Sequence, residues 1–335
     1  MAIFLSSREV MSLFSMKDLI DVIENAYHQM GKGKTTMLPR VSLDTLQSRR
    51  FLRIVPASLS EMGVAGIKAS APSGKGSFVK VILIFDTNTG DLKAVIESDW
   101  ISWLVPGALS AVATKYLAKK DSKVMGLFGS GRQARSQLMA VSCVRNFELV
   151  KIYSPQKMHR EQYCEEMGKL YPIKIVAADS PEETVKGSDI IATTTNSKSP
   201  VFDGNLIEPG THINKIGAHY PERREVDSIC LQRSKVVADS KVRALKEDGE
   251  LLIPISEGSI TAEQLYGELG EIIVGKKQGR KNEREITLFL SGDATIEYIA
   301  VGAAAYQRAH EKGIGQSLRV GKEPTIPKTL YMKEH

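Results

Sequence analysis

Hydrophobic residues follow two different periods along this chain, and the change of period divides it into segments. In residues 16–31 the apolar positions fall on one face of a helix: Leu19, Ile20, Ile23, Ala26 and Tyr27. Helix starts are predicted at Ser6 and Ser15, because an acidic residue follows each serine three positions later. Between residues 38 and 97 the runs become short and strand-like, at 40–43, 51–55, 66–69, 79–85 and 92–97. Together with the turn sequence at 88–91, they predict a mostly antiparallel sheet.

Strand and helix patterns alternate from residue 123 to residue 300. We expect strands at 124–128, 149–153, 173–176, 189–193, 213–216 and 235–238, and helices near 131–144, 157–169 and 181–186. This alternation is typical of a doubly wound parallel sheet of the Rossmann type. Residues 106–117 predict a helix with Pro106 in its first turn, and residues 296–312 predict a last helix that returns to the first segment. The predicted fold class is α/β, with a Rossmann domain (121–296) inserted in a discontinuous α+β domain (1–120 with 297–335).

The end of the strand at 124–128 carries a glycine fingerprint, Gly129-x-Gly131-x-x-Ala134. A tight turn between a strand and a helix presents backbone N–H groups and the positive end of the helix to a phosphate. Because an apolar run precedes this turn and a helical pattern follows it, we favour dinucleotide binding over a plain turn. The predicted cofactor contacts are Gly129, Ser130, Gly131, Arg132, Gln133 and Ala134.

The second Rossmann strand indicates which dinucleotide binds. An acidic residue at its end selects NAD by bonding the ribose 2′-hydroxyl. After residues 149–153 the chain offers Ser154, Lys157 and Arg160 instead, which favour the 2′-phosphate of NADP(H) over NAD(H). The alternative is a solvated helix start with ordinary basic residues. Contacts to the cofactor ribose and nicotinamide amide are predicted after the fourth strand, where a plain loop is the alternative: Thr193, Thr194 and Thr195.

Composition and charge exclude several other classes of protein. The net charge is +6, but the basic residues are scattered, which argues against a nucleic-acid partner. No apolar run approaches the ~18 residues of a membrane span. The three cysteines are far apart and the histidines are dispersed, so we expect neither a disulfide framework nor a metal site. The N-terminal residues lack a signal-peptide layout, and the expected location is the cytoplasm.

Several further motifs resemble the ornithine cyclodeaminase / mu-crystallin family over nearly the whole chain. Besides the glycine fingerprint, they stand at 37–41, 51–56, 66–68, 209–214, 223–227, 237–240 and 267–272. The resemblance implies a homodimer joined through the N-terminal sheets, so that the discontinuous domain binds substrate and dimerises. It also implies NAD(P) chemistry on small amino, imino or keto acids.

Three cations match positions that surround the substrate carboxylate in relatives: Arg40, Arg53 and Lys68. Arginine can grip a carboxylate with two parallel hydrogen bonds. The alternative for each residue alone is an ordinary surface charge. Lys68 stands between apolar and small residues, which suggests partial burial, and burial disfavours its charged form. We assign Lys68 two roles: holding the carboxylate or imine region, and donating or relaying a proton.

Four positions depart from the pattern that the resemblance implies. Relatives carry arginine where this chain has Val105, which weakens the carboxylate clamp or indicates an unusual substrate. His219 stands where cyclodeaminases have an aspartate that acts in deamination, and a histidine there keeps acid–base chemistry available. Asp293 replaces a small residue, and either contacts a substrate amine or caps the last helix. Tyr298 replaces a usual aspartate.

The residues and the resemblance together favour an NAD(P)H-dependent oxidoreductase that acts on a C=N or C=O carbon of a small imino or keto acid. Lys68 or His219 would supply the proton, and Arg40 and Arg53 would hold the acid. Two alternatives stay open. One is an ornithine cyclodeaminase, which reduces and reoxidises NAD within one cycle. The other is a non-catalytic ligand binder that depends on NADPH.

Overall fold

The computed structural model describes residues 2–45, 51–73, 78–217, 220–292 and 294–320. The strands of the first part of the chain are β1 (Ala2–Leu5), β2 (Thr35–Met37), β3 (Val41–Leu43), β4 (Leu52–Leu59), β5 (Val64–Pro72), β6 (Phe78–Asp86) and β7 (Leu92–Glu97). The later strands are β8 (Val124–Phe128), β9 (Leu149–Tyr153), β10 (Lys174–Ala177), β11 (Ile190–Thr193), β12 (His212–Lys215), β13 (Lys235–Ala238), β14 (Leu265–Glu268), β15 (Thr287–Leu290) and β16 (Gln316–Leu318). The α-helices are α1 (Ser7–Leu13), α2 (Met16–Gly31), α3 (Asp99–Leu117), α4 (Arg132–Val141), α5 (Lys157–Gly168), α6 (Pro181–Val185), α7 (Ser228–Arg233), α8 (Lys241–Glu247), α9 (Gly249–Ser256), α10 (Leu269–Ile273) and α11 (Ile296–Lys312).

The first sheet has the order β16-β1-β7-β6-β5-β4-β2, with β3 also paired to β4. Its pairs from β2 to β7 are antiparallel, as expected, whereas β1 runs parallel to β7. Helix α11 returns to this sheet and packs on β4, β5, β6 and β7. Alternate residues of β6, Ile82 and Ile84, are buried with Ile299 of α11 in one core. The sheet therefore turns one face toward this core.

The second sheet has eight strands in the order β10-β9-β8-β11-β12-β15-β13-β14. Its recorded pairs are all parallel. The strand order reverses between β8 and β11, and the carboxyl ends of these two strands form the crevice where ligands bind in open α/β sheets. The Rossmann-type expectation is confirmed. Strands β14 and β15 were not among the predicted strands.

Helix α3 begins earlier than the sequence suggested. Pro106 was expected in its first turn, but the helix starts at Asp99 and Pro106 lies in its interior. A proline has no N–H to donate to the carbonyl four residues before it. That carbonyl belongs to Ser102, and it accepts a hydrogen bond from Gln133 Nε2 at 3.5 Å instead. Among the described residues, no helix has both the length and the apolar character that crossing a membrane requires.

Candidate active site

The glycine turn at the end of β8 has the backbone geometry of a phosphate cradle. Gly129 has φ +99°, and a Cβ there would lie 2.6 Å from Thr194 Oγ1, so the position requires glycine. Its N–H donates to the carbonyl of Tyr153 at 2.8 Å, which fixes the turn against β9. Gly131 precedes the first residue of α4, and a Cβ there would have no atom within 4 Å. The space beside Gly131 is where a pyrophosphate at the helix N-terminus would lie.

A groove leads from this turn along the ends of the Rossmann strands, and we call it the nucleotide groove. It holds about 760 Å³ of empty space. Its lining includes Phe128, Gly129, Tyr153, Pro155, Pro181, Thr195, Ser197, Pro200 and Val201. The residues present thus fit a dinucleotide, with apolar and aromatic walls beside a backbone phosphate site.

The three residues expected at the 2′ position of the ribose have different surroundings. Ser154 lies beside the turn, and Ser130 Oγ donates to Ser154 Oγ at 3.2 Å. Lys157 is exposed, with its Nζ 3.7 Å from Glu161. Arg160 is buried: its guanidinium donates to the Ser154 carbonyl at 3.0 Å and to Asp179 at 3.1 Å. Arg160 therefore connects Ser154, directly after β9, to Asp179.

The other residues of the fingerprint contact helix α3 and the core. Arg132 pairs with Asp99 at 3.2 Å, and its carbonyl accepts from Trp103 Nε1 at 2.7 Å. Gln133 contacts α3 through the bond to the carbonyl of residue 102 described above. Ala134 is fully buried, which allows α4 to approach the sheet. These contacts fix α4 against α3, so that the first turn of α4 keeps its place in the groove.

Glu225 connects the ends of two Rossmann strands, and sequence reasoning did not single it out. Its carboxylate accepts from Thr193 Oγ1 at 2.8 Å, from the Thr195 N–H at 2.5 Å and from the Gly217 N–H at 2.8 Å. Thr194 Oγ1 donates to the end of β8 instead, at the carbonyl of residue 128. A buried carboxylate thus organises the loops after β11 and β12. The only signal in the sequence was one acidic residue inside a recognised motif.

Glu225 belongs to a group of fully buried charges that we call the buried charge cluster, with Lys215, Asp248 and Glu250. Lys215 Nζ lies 3.0 Å from Asp248 and 3.7 Å from Glu250. Burial alone would lower the pKa of Lys215, but the three carboxyl groups raise it. Burial raises the pKa of Glu225, and it raises that of Glu250 to about 8. Burial therefore favours the protonated forms of Glu225 and Glu250, against the attraction of the Lys215 ammonium.

The first sheet carries two of the cations that were predicted to hold the substrate carboxylate. Lys68 lies on β5 opposite Val55 and is buried, with its ammonium 3.2 Å from the centroid of the Tyr298 ring. Arg53 lies on β4, and its guanidinium is 5.9 Å from the Tyr220 ring centroid. Because Tyr220 follows β12, this contact brings the first sheet to the carboxyl ends of the Rossmann strands. The structure therefore brings Lys68 and Arg53 to one side of the site.

A second opening, which we call the interdomain cleft, lies between the segment before β3 and helix α8. It holds about 750 Å³ of empty space. Arg40 lines it, with its Nε 3.9 Å from Glu247 of α8. Arg243 and Thr295 line it from the Rossmann side and from the start of α11. Sequence reasoning missed Arg243, which carried no motif signal of its own.

Three sequence expectations remain, for His219, Asp293 and Val105. His219 and Asp293 lie outside the residues that the structure describes. Val105 is fully buried in the apolar core shared by α3 and the first sheet. An apolar side chain thus occupies the position where the family resemblance predicts an arginine.

The sequence matches the model of the ornithine cyclodeaminase/mu-crystallin family over residues 1–313. This chain belongs to that family. It is 34% identical over 326 residues to an alanine dehydrogenase of Archaeoglobus fulgidus, with 95% of this chain and 98% of that protein covered. It is 31% identical over 321 residues to a Delta(1)-pyrroline-2-carboxylate reductase of Bacillus cereus, with 94% and 98% covered.

Solved structures agree with the family. The Thermococcus litoralis Delta(1)-pyrroline-2-carboxylate reductase in complex with NADH and L-proline superposes with a TM-score of 0.88 at 36% identity, covering 94% of this chain and 100% of that one. An archaeal alanine dehydrogenase dimer with bound NAD gives 0.88 at 33% identity, covering 95% and 99%. The expectation of a nicotinamide-dependent oxidoreductase of this family is confirmed.

Proposed function

We propose that this protein reduces a small cyclic imino acid, of the kind that the pyrroline-2-carboxylate reductases take, with a nicotinamide dinucleotide as hydride donor. The observation that carries the proposal is the position of Lys68. It is a buried cation of the first sheet, next to a helix that starts at the interdomain cleft. Such a cation suits a substrate that has both a carboxylate and an imine nitrogen.

Lys68 and Arg53 would hold the carboxylate and the imine end of this substrate. Val55 of β4 lies opposite Lys68 of β5, and Arg53 stands two positions before Val55 on β4. The two side chains therefore share one face of the sheet. Arg40 would attract the anion from the interdomain cleft, where it balances Glu247. Three cations of the discontinuous domain thus support binding of a carboxylate.

Lys68 would also move the proton that the reaction needs. The bound dinucleotide supplies a hydride to the imine carbon, and one proton at the nitrogen balances the reaction. The face of Tyr298 holds the ammonium in place by a cation–π contact. A lysine held in this way can give its proton to the nitrogen and recover one from solvent. His219 is the second proposed proton donor.

Substitution of Lys68 tests the proposal. In Lys68→Met we expect kcat to fall about 10²- to 10⁴-fold with Δ1-pyrroline-2-carboxylate. Lys68→Arg keeps the charge but holds its proton at neutral pH, so it should restore KM without restoring kcat. Lys93→Met, which removes a surface cation of β7, is the control. Cofactor titration checks that all the variants bind dinucleotide equally.

Three results would count against this function. One is that purified protein oxidises neither NADH nor NADPH with cyclic imino acids or with pyruvate plus ammonia. Another is ammonia release from ornithine without net change in cofactor, which would identify the cyclodeaminase alternative. The third is tight NADPH binding with every substrate inert, which would identify the ligand binder.

For the cofactor, we propose that NADP(H) is preferred through Ser154 and Lys157, with Arg160 in a structural role. The support is the absence of an acidic residue at 154–160 directly after β9 and the position of Ser154 beside Ser130. In Ser154→Asp we expect the Kd of NADPH to rise about 10- to 100-fold, because the new carboxylate repels the 2′-phosphate. The Kd of NADH should stay within a few-fold. A wild-type preference for NADH of about tenfold or more would contradict the proposal.

We also propose a homodimer joined through the outer face of the first sheet, in line with the domain division at residues 120 and 297. Large apolar side chains near one end of this face are 51–59% exposed: Val41, Leu43 and Val79. A shallow groove lined by Pro56, Ile67 and Phe85 continues this surface. Sedimentation equilibrium should give twice the chain mass, and Ile67→Glu should give the monomer. We keep the cytoplasm as the predicted location.

A further inference from the structure

The family resemblance implies a substrate cation at the position of Val105 on α3. Val105 of α3 is fully buried among apolar residues, so it can contribute no charge. A substrate carboxylate that leaves water needs a charged or hydrogen-bonding partner in the site. A cation beyond Lys68, Arg53 and Arg40 would therefore have to come from another element.

Arg243 of α8 lies on the opposite wall of the interdomain cleft. Its guanidinium fills the space beside Gly292, where a Cβ would lie 1.3 Å from Nη2. Any side chain at 292 would displace the arginine. Gly292 follows β15 and leads into α11, the helix whose Tyr298 contacts Lys68. The Arg243 guanidinium thus lies beside Gly292, and the Lys68 ammonium lies over the ring of Tyr298, six positions later.

One edge of the Arg243 guanidinium is fixed by two carboxylates. Nη2 donates to Asp239 at 3.0 Å and lies 3.7 Å from Asp248. Asp239 also accepts from the N–H groups of Ser240 at 2.6 Å and Gly292 at 2.5 Å, so its charge is shared among several donors. Among the described residues, Arg243 Nε is buried and has no hydrogen-bond partner. A buried donor of this kind needs an acceptor.

We propose that Arg243 is a substrate-binding residue, which supplies the carboxylate contact that Val105 cannot supply. The inference rests on the proposed function for the identity of the ligand, a ring or chain imino acid with one carboxylate. Asp239 orients the guanidinium, and Arg243 lines the interdomain cleft together with Arg40.

Binding of a non-reactive carboxylate tests this without relying on turnover. Pyrrole-2-carboxylate, a planar ring with the same carboxylate, is titrated into the NADPH complex and followed by cofactor fluorescence. In Arg243→Met we expect its Kd to rise about 10- to 100-fold, as for loss of a charge-assisted hydrogen bond. Arg224→Met removes a cation of the same domain that pairs with Glu257, and it should leave the Kd unchanged. NADPH affinity and Tm show whether the variants are folded.

Gly292→Ala is the second variant, because it keeps the arginine but removes the space for its guanidinium. We expect a similar rise in Kd for pyrrole-2-carboxylate. For pyrrole-2-carboxamide, which has no charge, wild type and Arg243→Met should bind alike. In steady-state assays, KM for the imino acid should rise while kcat changes less than threefold, in contrast to Lys68→Met.

An unchanged Kd for pyrrole-2-carboxylate in folded Arg243→Met would overturn the inference, and so would equal losses for carboxylate and carboxamide. Failure of wild type to bind pyrrole-2-carboxylate at all would overturn it too. The proposed function fails separately, when wild type turns over no imino or keto acid although the carboxylate binds. The two failures are therefore distinguishable.

Discussion

The cofactor side and the substrate side of this site are built in different ways. The cofactor side is a turn of consecutive residues, in which Gly129 requires a positive φ and Gly131 leaves open space. The substrate side joins side chains from β4, β5, α8 and α11, which are far apart in sequence. In the proposed function, backbone geometry would hold the carrier of the hydride, and assembled side chains would hold its acceptor. A family can change the second without disturbing the first.

Glu225 is an exception to this difference between the two sides. Its side chain, from a distant part of the sequence, fixes the backbone of the loops on the cofactor side. Glu225→Ala removes the acceptor for two N–H groups and a hydroxyl, and removes a buried negative charge near Lys215. We expect a loss of about 3–5 kcal/mol in the free energy of unfolding. Urea denaturation measures it. Glu225→Gln should lose less, and equal losses would show that the charge is irrelevant.

The glycine turn allows a matched comparison between two neighbouring positions. Gly129→Ala forces an L residue to φ +99° and brings Cβ to 2.6 Å from Thr194 Oγ1, so about 1–3 kcal/mol of stability should be lost. Gly131→Ala should change stability by less than about 0.5 kcal/mol. Both variants should bind NADPH more weakly, Gly131→Ala because its Cβ occupies the phosphate space. Normal NADPH binding by Gly131→Ala would place the pyrophosphate elsewhere.

The buried charge cluster should give the protein a pH dependence that the cofactor turn lacks. Burial raises the pKa of Glu250 to about 8, so the folded state holds a proton there that the unfolded state releases above its ordinary pKa. Stability from this group is present at low pH and is lost as pH rises toward 8. Glu250→Gln cannot ionise, and should gain about 1–3 kcal/mol relative to wild type between pH 5 and pH 9. Parallel stability curves for the two proteins would contradict the assignment.

Lys157 should have the smallest effect, and only on the cofactor side. Its pair with Glu161 is exposed, so Lys157→Met should change stability by less than about 0.5 kcal/mol. The Kd of NADPH should rise about 3- to 10-fold while that of NADH stays constant. Lys169→Met, which breaks a similar exposed pair with Glu165 just after the same helix, is the control. Equal effects on both cofactors would remove Lys157 from the 2′ site.

Local signals allowed much of the fold to be predicted. The starts of α1 and α2 follow from capping boxes, in which Glu9 and Asp18 each accept from the preceding serine N–H at 2.8 Å. Strands β8, β9 and β13 have the predicted bounds, since each is a short, mostly apolar segment within the alternating pattern. The predicted start of α3 was wrong. The helix continues through Pro106 because the Ser102 carbonyl, which the proline leaves without a donor, accepts from Gln133 of α4. That compensation depends on a residue 31 positions away.

By itself, the sequence determined the Rossmann alternation, the glycine turn and the family, because each depends on neighbouring residues or on an ordered series of motifs. Only the tertiary structure revealed that Arg160 is buried and hydrogen-bonded to the Ser154 carbonyl. It also revealed that Glu225 connects the loops after β11 and β12, and that Arg243 lies beside Gly292. A side chain's partner depends on which distant elements pack against it. For that reason the hydride carrier could be predicted from the sequence, whereas the shape of the acceptor site could not.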